Sequence, residues 1–159
     1  MKVLSIDPGY ERLGIAILEK KDNSSKEELI YSDCFKTSAK LEHHERLALI
    51  LGEINRLITK YSPDALSVET LFFNNNQKTA LKVSEARGAI ISTCSLQKLD
   101  IKEFTPLQIK ASVTGNGRSD KNGVIKMIPL LIKIDKEIKY DDEYDAIAAG
   151  LTYFAYSRI

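Results

Sequence analysis

Two carboxylates in the sequence end short apolar segments. Asp7 follows the apolar run 3–6 and precedes Pro8-Gly9, which stops a strand because proline has no amide to donate and glycine permits positive φ. Glu69 ends a second short strand pattern, 64–69. A carboxylate at the end of a buried strand is costly unless a cation lies on it. The simpler interpretation of Asp7 is an Asp that hydrogen-bonds its own turn, so further acidic residues must meet it before a site is predicted.

The last helical pattern opens with three aspartates. Asp142 and Asp145, three residues apart, share a helical face, and so do Asp141 and Asp145, four apart, so spacing alone does not separate the two pairs. Acidic residues in a first turn also favour the helix dipole without any other purpose. The combination of such a pair with Asp7 and Glu69 is what favours a shared site.

Grouped carboxylates of this kind predict a divalent-cation site. Several carboxylates close together repel, and their pKa values rise unless a cation compensates. Oxygen ligands without Cys or His suit Mg²⁺ or Mn²⁺. Two such ions about 3.5–4 Å apart can activate water and stabilise the leaving oxygen in phosphodiester displacement. That chemistry needs carboxylates from different elements to meet at one edge of a sheet.

The order of elements is suited to that task. Strand patterns at 2–7, 13–18 and 29–36 predict an antiparallel meander. The patterns that follow first alternate between helix and strand: a helix from 41 to 61, a strand at 64–69, a helix at 77–96 and a strand at 101–104. Three helices complete the chain: one after the Thr105-Pro106 cap, one with Pro129 inside it, and a last one at 141–154. This order predicts one α/β domain with a mixed sheet over residues 1–159.

Composition restricts the class of protein further. The net charge of the 159 residues is +1, which excludes a grossly basic nucleic-acid binder but not a basic surface beside an acidic pocket. The sequence has no apolar run long enough to span a membrane and no secretory leader before the first strand. Cys34 and Cys94 lie far apart, as expected of reduced core thiols. These features predict a cytoplasmic protein.

Basic residues accompany the acidic ones. Lys110, Arg118 and Lys121 cluster around a glycine-containing loop, and Lys78 and Lys82 share a face of the helix 77–96. A single surface lysine is usually only solvated. Beside a two-metal site, however, phosphate anchoring is the favoured interpretation.

These motifs together resemble the RuvC family of Holliday-junction resolvases along nearly the whole chain. The five matching motifs, in order, are Ile6-Asp7-Pro8-Gly9 with Arg12-Leu13-Gly14, Glu69-Thr70-Leu71-Phe72, Ala80-Leu81-Lys82 through Ala86-Arg87-Gly88, Val113-Thr114-Gly115-Asn116-Gly117 with Lys121, and Asp142-Glu143-Tyr144-Asp145-Ala146-Ile147-Ala148. Two features depart from the family pattern: Ser84-Glu85 stands where relatives often carry Gly-Gln, and Pro129 interrupts a helix that is usually uninterrupted.

The resemblance implies a fold and a site. The fold is α/β and ribonuclease-H-like, with a mixed five-stranded sheet flanked by helices on both faces. The catalytic and metal-binding set is Asp7, Glu69, Asp142 and Asp145, so that Asp142 is preferred to Asp141. The implied cofactor is Mg²⁺, replaceable by Mn²⁺, with two ions in each active site.

The resemblance also implies a partner and an assembly. A homodimer would nick two strands of a four-way DNA junction, in homologous recombination and DNA repair, with branch-migration helicases as further partners. Lys110 and Lys121 are implied as phosphate anchors, and Arg118 is supported by its place in the loop. Phe72 falls where the family has an aromatic residue that stacks on junction bases.

Three other interpretations stay open. The Asp7-Pro8-Gly9 turn with Gly14 is also similar to the phosphate loop of actin-like sugar kinases, which need a second domain and a longer chain. A related ribonuclease-H-like nuclease acting on structured RNA would lack Phe72 and the basic glycine loop. A non-catalytic junction-binding module is expected to have lost an acidic residue, and none of the four is missing here.

Overall fold

The elements occur in the predicted order. The computed structural model describes residues 1–22, 24, 26–71 and 77–157, and at 77 and 78 it describes the backbone only. The strands are β1 (Lys2–Asp7), β2 (Arg12–Glu19), β3 (Glu28–Lys36), β4 (Ala65–Glu69) and β5 (Asp100–Phe104). The helices are α1 (His43–Tyr61), α2 (Gln77–Leu96), α3 (Pro106–Thr114), α4 (Lys121–Leu131) and α5 (Asp141–Tyr156).

The five strands form one mixed sheet in the order β3-β2-β1-β4-β5. β1, β2 and β3 are an antiparallel meander, whereas β4 and β5 continue the sheet parallel to β1. The carboxyl ends of β1, β4 and β5 therefore lie at the same edge of the sheet. The beginning of β2 and the end of β3 lie at that edge too, because β2 runs antiparallel to both of its neighbours.

Helices cover both faces of the sheet. On one face, Val3, Ala16 and Leu18 pack against α3, α4 and α5. On the other face, Leu4 and Ile6 pack against α1 and α2. Alternate residues of each strand thus enter two different cores, as the period of two in a strand requires. The predicted mixed five-stranded sheet with helices on both faces is confirmed.

The observed ends of the helices can be compared with those predicted from capping residues and proline. The Thr105 hydroxyl accepts from the Gln108 amide at 3.2 Å, so α3 begins with the predicted capping box. α1 begins at His43 rather than at the predicted 41, because Glu42 and Glu45 form a capping box there. Pro129 lies inside the last turn of α4, which ends at Leu131. None of the helices in the described ranges combines the length and apolarity needed to cross a membrane.

Candidate active site

Asp7 and Glu69 end two neighbouring parallel strands. β1 and β4 pair in parallel up to Ile6 and Val68, and each strand ends at the next residue, a carboxylate. Both side chains therefore leave the sheet at the same edge, as the sequence predicted. Both keep part of their surface accessible.

The first turn of α5 brings two further carboxylates to this edge. α5 crosses the sheet over β1 and β2, and Gly14, the partner of Asp7 in the antiparallel register, makes this close crossing possible. A Cβ at Gly14 would lie 1.9 Å from the Asp142 carbonyl oxygen and 3.1 Å from the Asp7 Cβ. Only glycine leaves room for the α5 backbone to lie against β2 at this point. Asp142 and Asp145 consequently reach the end of β1.

The electrostatics identify these carboxylates as one group. Burial raises the pKa of Asp7 well above its ordinary value, and the charges of Asp145, Glu69 and Asp142 raise it further. Burial, followed by the charge of Asp145, raises the pKa of Glu69 to about 7, although Lys110 and Lys121 oppose the shift. Carboxylates held together against their own repulsion form the kind of site that a divalent cation stabilises.

Two cations already lie on the carboxylates. The Lys121 Nζ is 3.0 Å from the Asp145 Oδ2 and 3.4 Å from the Asp141 Oδ2. On the other side, the Arg12 Nε is 3.3 Å from the Asp142 Oδ2. Burial raises the pKa of Asp145, and the hydrogen bond from Lys121 acts against that shift.

The carboxylate oxygens of the site suit a hard divalent ion, but the side chains are not arranged to coordinate one. Within the described residues, no three Asp, Glu, His or Cys side chains are arranged as a ready set of ligands for a single ion. Lys121 and Arg12 pair with two of the four carboxylates and supply positive charge that a metal would otherwise provide. The oxygen-only chemistry of Asp7, Glu69, Asp142 and Asp145 suits Mg²⁺ or Mn²⁺, provided that these ion pairs rearrange.

A cavity of about 170 Å³ opens beside this group. Two of its lining residues are acidic, two are basic and three are apolar: Glu69, Asp145, Lys110, Lys121, Pro106, Ile109 and Val124. Lys110 and Lys121 thus lie where the sequence analysis expected phosphate anchors, next to the carboxylates.

The other predicted nucleic-acid contacts lie further from the carboxylates or outside the described residues. The Lys82 Nζ is 4.9 Å from the centre of the Tyr10 ring, in a groove between the starts of α1 and α2. Arg118 is exposed in the glycine-containing loop. The side chain of Lys78 and the whole of Phe72 lie outside the described residues, so their predicted roles stay predictions.

Sequence reasoning missed three residues that contact the site. Arg87 donates from its Nε to the Glu69 carbonyl oxygen at 2.9 Å and pairs with Glu103, which ties α2 to the end of β4. Arg12 contacts Asp142, and the Cys34 thiol lies 4.0 Å from the same carboxylate oxygen. Arg12 and Arg87 both belong to motifs that the sequence analysis singled out, so only their roles were missed.

Comparisons with known proteins define the class. The family model described as "Crossover junction endodeoxyribonuclease RuvC" matches residues 3–153. A relative of that name from Thermosipho melanesiensis is 45% identical over 150 residues, covering 94% of each chain. Another from Brachyspira hyodysenteriae is 38% identical over 159 residues, covering 100% of this chain and 97% of the relative.

Solved structures agree with the sequence relatives. RuvC from Thermus thermophilus in complex with a Holliday-junction substrate superimposes with a TM-score of 0.91 at 28% identity, covering 99% of this chain and 95% of that one. The fowlpox virus resolvase bound to junction DNA, at 18% identity, matches with a TM-score of 0.64 and supports the fold alone.

The fold is therefore ribonuclease-H-like, and the protein is of the class of divalent-metal-dependent nucleases. The chain belongs to the RuvC family of crossover junction endodeoxyribonucleases. The predicted family, fold class and enzyme class are confirmed.

Proposed function

We propose that this chain resolves four-way DNA junctions by paired, symmetric nicks, using two Mg²⁺ ions in each active site. The observation that carries the proposal is the meeting of Asp7, Glu69 and Asp145 in one electrostatic group beside Lys121. The relatives' names and the junction-bound Thermus structure supply the substrate class. The proposal takes residues 1–159 as one nuclease domain, acting in recombination and repair in the cytoplasm.

The carboxylates and the lysines have separate parts in the proposal. Asp7 interacts electrostatically with the other three acids. Asp7, Glu69, Asp142 and Asp145 would together hold the ions. The bound ions would supply water activation and charge stabilisation at the leaving oxygen. Lys121 would exchange its carboxylate partner for substrate phosphate, and Lys110 would hold the strand at the mouth of the cavity.

The proposal extends to the assembly and to Phe72. Two symmetric cuts need two active sites, so the working form would be a dimer built largely on α2. Phe72 would stack on bases at the exchange point, so that Phe72→Ala lowers cleavage more than affinity and leaves thermal stability nearly unchanged. Branch-migration helicases remain the proposed further partners.

The test compares substrates under matched conditions. Purified protein is assayed with Mg²⁺, with Mn²⁺ and with EDTA on a synthetic four-way junction, a linear duplex of the same sequence and a structured RNA. The proposal requires metal-dependent nicks in two strands of the junction and little cleavage of the duplex. Preferential cleavage of the RNA would support the RNA-nuclease alternative, and tight junction binding without cleavage in any metal would support the binding module.

A further inference from the structure

The sheet edge that carries the carboxylates has cations on both sides of them. Lys110 and Lys121 approach from the β5 side, where they line the cavity next to Glu69. On the β3 side, Arg12 opens β2 and Lys36 ends β3, and the two residues are direct partners in the antiparallel register. Nothing in the proposed function so far uses this second pair.

An aromatic ring holds the second pair in place. The Lys36 Nζ lies 3.6 Å from the centre of the Tyr140 ring, and the Arg12 guanidinium carbon lies 5.6 Å from it. Tyr140 is the residue before α5 and directly precedes Asp141 and Asp142. Attraction between the cations and the face of the ring keeps both charges beside the carboxylates.

These cations remain available to a ligand. The Arg12 side chain is 53% exposed and reaches the Asp142 carboxylate through Nε. Within the described residues its two Nη nitrogens make no hydrogen bond. Lys36 is exposed, and among the described residues no carboxylate forms an ion pair with it. Arg12 pairs with one carboxylate, whereas Lys36 lies over an aromatic ring and pairs with no carboxylate among the described residues, so the pair carries an excess positive charge that an anion can neutralise.

We propose that Arg12, Lys36 and Tyr140 form a second contact for the nucleic-acid backbone, with a phosphate group as the ligand. The proposal rests on the proposed function, because it needs a DNA strand that crosses the carboxylates from the β5 side to the β3 side. Phosphate matches the fork of the Arg12 guanidinium and the point charge of Lys36.

The sheet geometry indicates on which side of the cleaved bond this phosphate lies. Neighbouring strands lie about 4.8 Å apart, so β3, two strands from β1, places Lys36 about 10 Å from the strand of Asp7. The phosphate bound by Lys36 is therefore displaced from the cleaved bond toward β3, on the side opposite the phosphate bound by Lys121.

The first experiment measures junction affinity in EDTA as a function of salt concentration. The variants are Lys36→Gln and Arg12→Gln, each checked by thermal melting. The matched control is Lys60→Gln, because the Lys60 Nζ also lies over a tyrosine ring, 5.0 Å from the centre of Tyr61, but at the opposite edge of the sheet. Lys36→Gln and Arg12→Gln should each reduce the slope of the logarithm of the junction association constant against the logarithm of salt concentration by about 1. The control Lys60→Gln should keep the wild-type slope.

The second experiment locates the phosphate. Junctions carrying a single uncharged methylphosphonate are scanned along the cleaved strand. The affinity loss caused by Lys36→Gln should disappear when one phosphate on one side of the cleaved bond is neutral. The loss caused by Lys121→Ala should disappear at a different phosphate, on the other side of that bond.

Three outcomes would overturn the proposal. An unchanged salt slope in Lys36→Gln would remove this residue from the interface, and coupling to the same phosphate as Lys121 would refute the second contact. Failure of the wild-type protein to bind or cut the junction would reject the proposed function and this contact with it. In the first two outcomes the wild-type protein still binds and cuts the junction, so those outcomes reject the second contact alone.

Discussion

At the scale of single residues, the site is a group of acids whose charges are balanced by cations from two sides. Lys121 pairs with Asp145, and Arg12 pairs with Asp142. Neither contact is evident from the sequence, because an ion pair between distant residues depends on how α4, α5 and β2 cross. In contrast, Asp7 and Glu69 could be predicted from the ends of their strands, and an aspartate pair from the start of the last helix. The choice of Asp142 over Asp141 needed the family resemblance.

The pKa of Glu69 has a consequence for stability. Because burial raises this pKa from 4.5 to about 7, the folded metal-free protein binds a proton at Glu69 that the unfolded chain releases between those pH values. The free energy of unfolding of the metal-free protein should therefore fall as the pH rises from about 4.5 through 7. This group contributes at most about 3 kcal/mol to that fall. Mg²⁺ favours the ionised form, so its stabilising effect should grow over the same range.

Thermal melting of the metal-free protein between pH 4.5 and 8 measures this effect. Glu69→Gln should flatten the pH profile and weaken stabilisation by Mg²⁺. Glu28→Gln is the matched control, since Glu28 is an acid paired with Lys21 on the surface at 2.8 Å. A Glu69→Gln profile as steep as that of the wild type would contradict the assignment.

Lys121 should compete with metal for Asp145. Removing an ammonium 3.0 Å from the Asp145 Oδ2 makes the local potential more negative, so Lys121→Ala should bind Mn²⁺ several-fold more tightly without DNA. The same variant should cut junctions more slowly, because it has lost a phosphate contact. Titration calorimetry with Mn²⁺ measures the affinity, and Lys126→Ala, an exposed lysine of the same helix, is the control. Weaker Mn²⁺ binding in Lys121→Ala would show that Lys121 supports the metal.

At the scale of elements, the site depends on how closely α5 crosses β2. Gly14→Ala places a methyl group where the Asp142 carbonyl oxygen lies, at 1.9 Å. The helix must shift, which should cost at least about 1–3 kcal/mol of stability and reduce Mn²⁺ affinity by moving Asp142. Denaturant unfolding and metal titration of the variant test this.

Gly52→Ala is the matched control for Gly14→Ala. Gly52 lies within α1, and no atom lies within 4 Å of a Cβ built there. Alanine is favoured over glycine inside a helix by about 0.5–1 kcal/mol, so this variant should be as stable as the wild type or slightly more so. A Gly14→Ala protein with the stability and Mn²⁺ affinity of the wild type would refute the role of this crossing.

Local signals predicted the elements well, but not their contacts. Apolar periodicity and the caps located all ten elements, since those signals depend on neighbouring residues in the chain. No local signal predicts a contact of His43 with Glu85, yet these side chains meet between α1 and α2, and the His43 Nδ1 is 3.2 Å from the Tyr10 hydroxyl. This contact involves the glutamate that departs from the family's Gly-Gln pattern, and it required the tertiary structure.

At the scale of the whole molecule, α2 is the surface on which the proposed dimer can be tested. Leu81 and Leu96 of this helix are 66% and 83% exposed, so apolar area is available for a second copy. A Cβ at Gly88 would meet no atom within 4 Å. Gly88→Glu should therefore leave the protomer folded but place a charge in the dimer interface, giving a monomer that nicks one strand at a time.

Sedimentation at micromolar concentration, together with counting of paired and single nicks, measures this prediction. Gly52→Glu introduces the same side chain at an equally open glycine of α1 and should remain dimeric. A Gly88→Glu protein that stays dimeric and cuts both strands together would place the interface elsewhere.

Asp7 is the proposed metal-binding centre of a junction-cutting enzyme. The most direct test of this role is the cleavage rate of a synthetic four-way junction in Mg²⁺ by Asp7→Asn, with junction affinity measured in parallel in EDTA. Asp135→Asn, an exposed aspartate paired with Lys133, is the control. Cleavage by Asp7→Asn should fall by several orders of magnitude, while its junction affinity should stay within a few-fold of that of the wild type. Cleavage by Asp7→Asn at a rate near that of the wild type and the control would contradict this role.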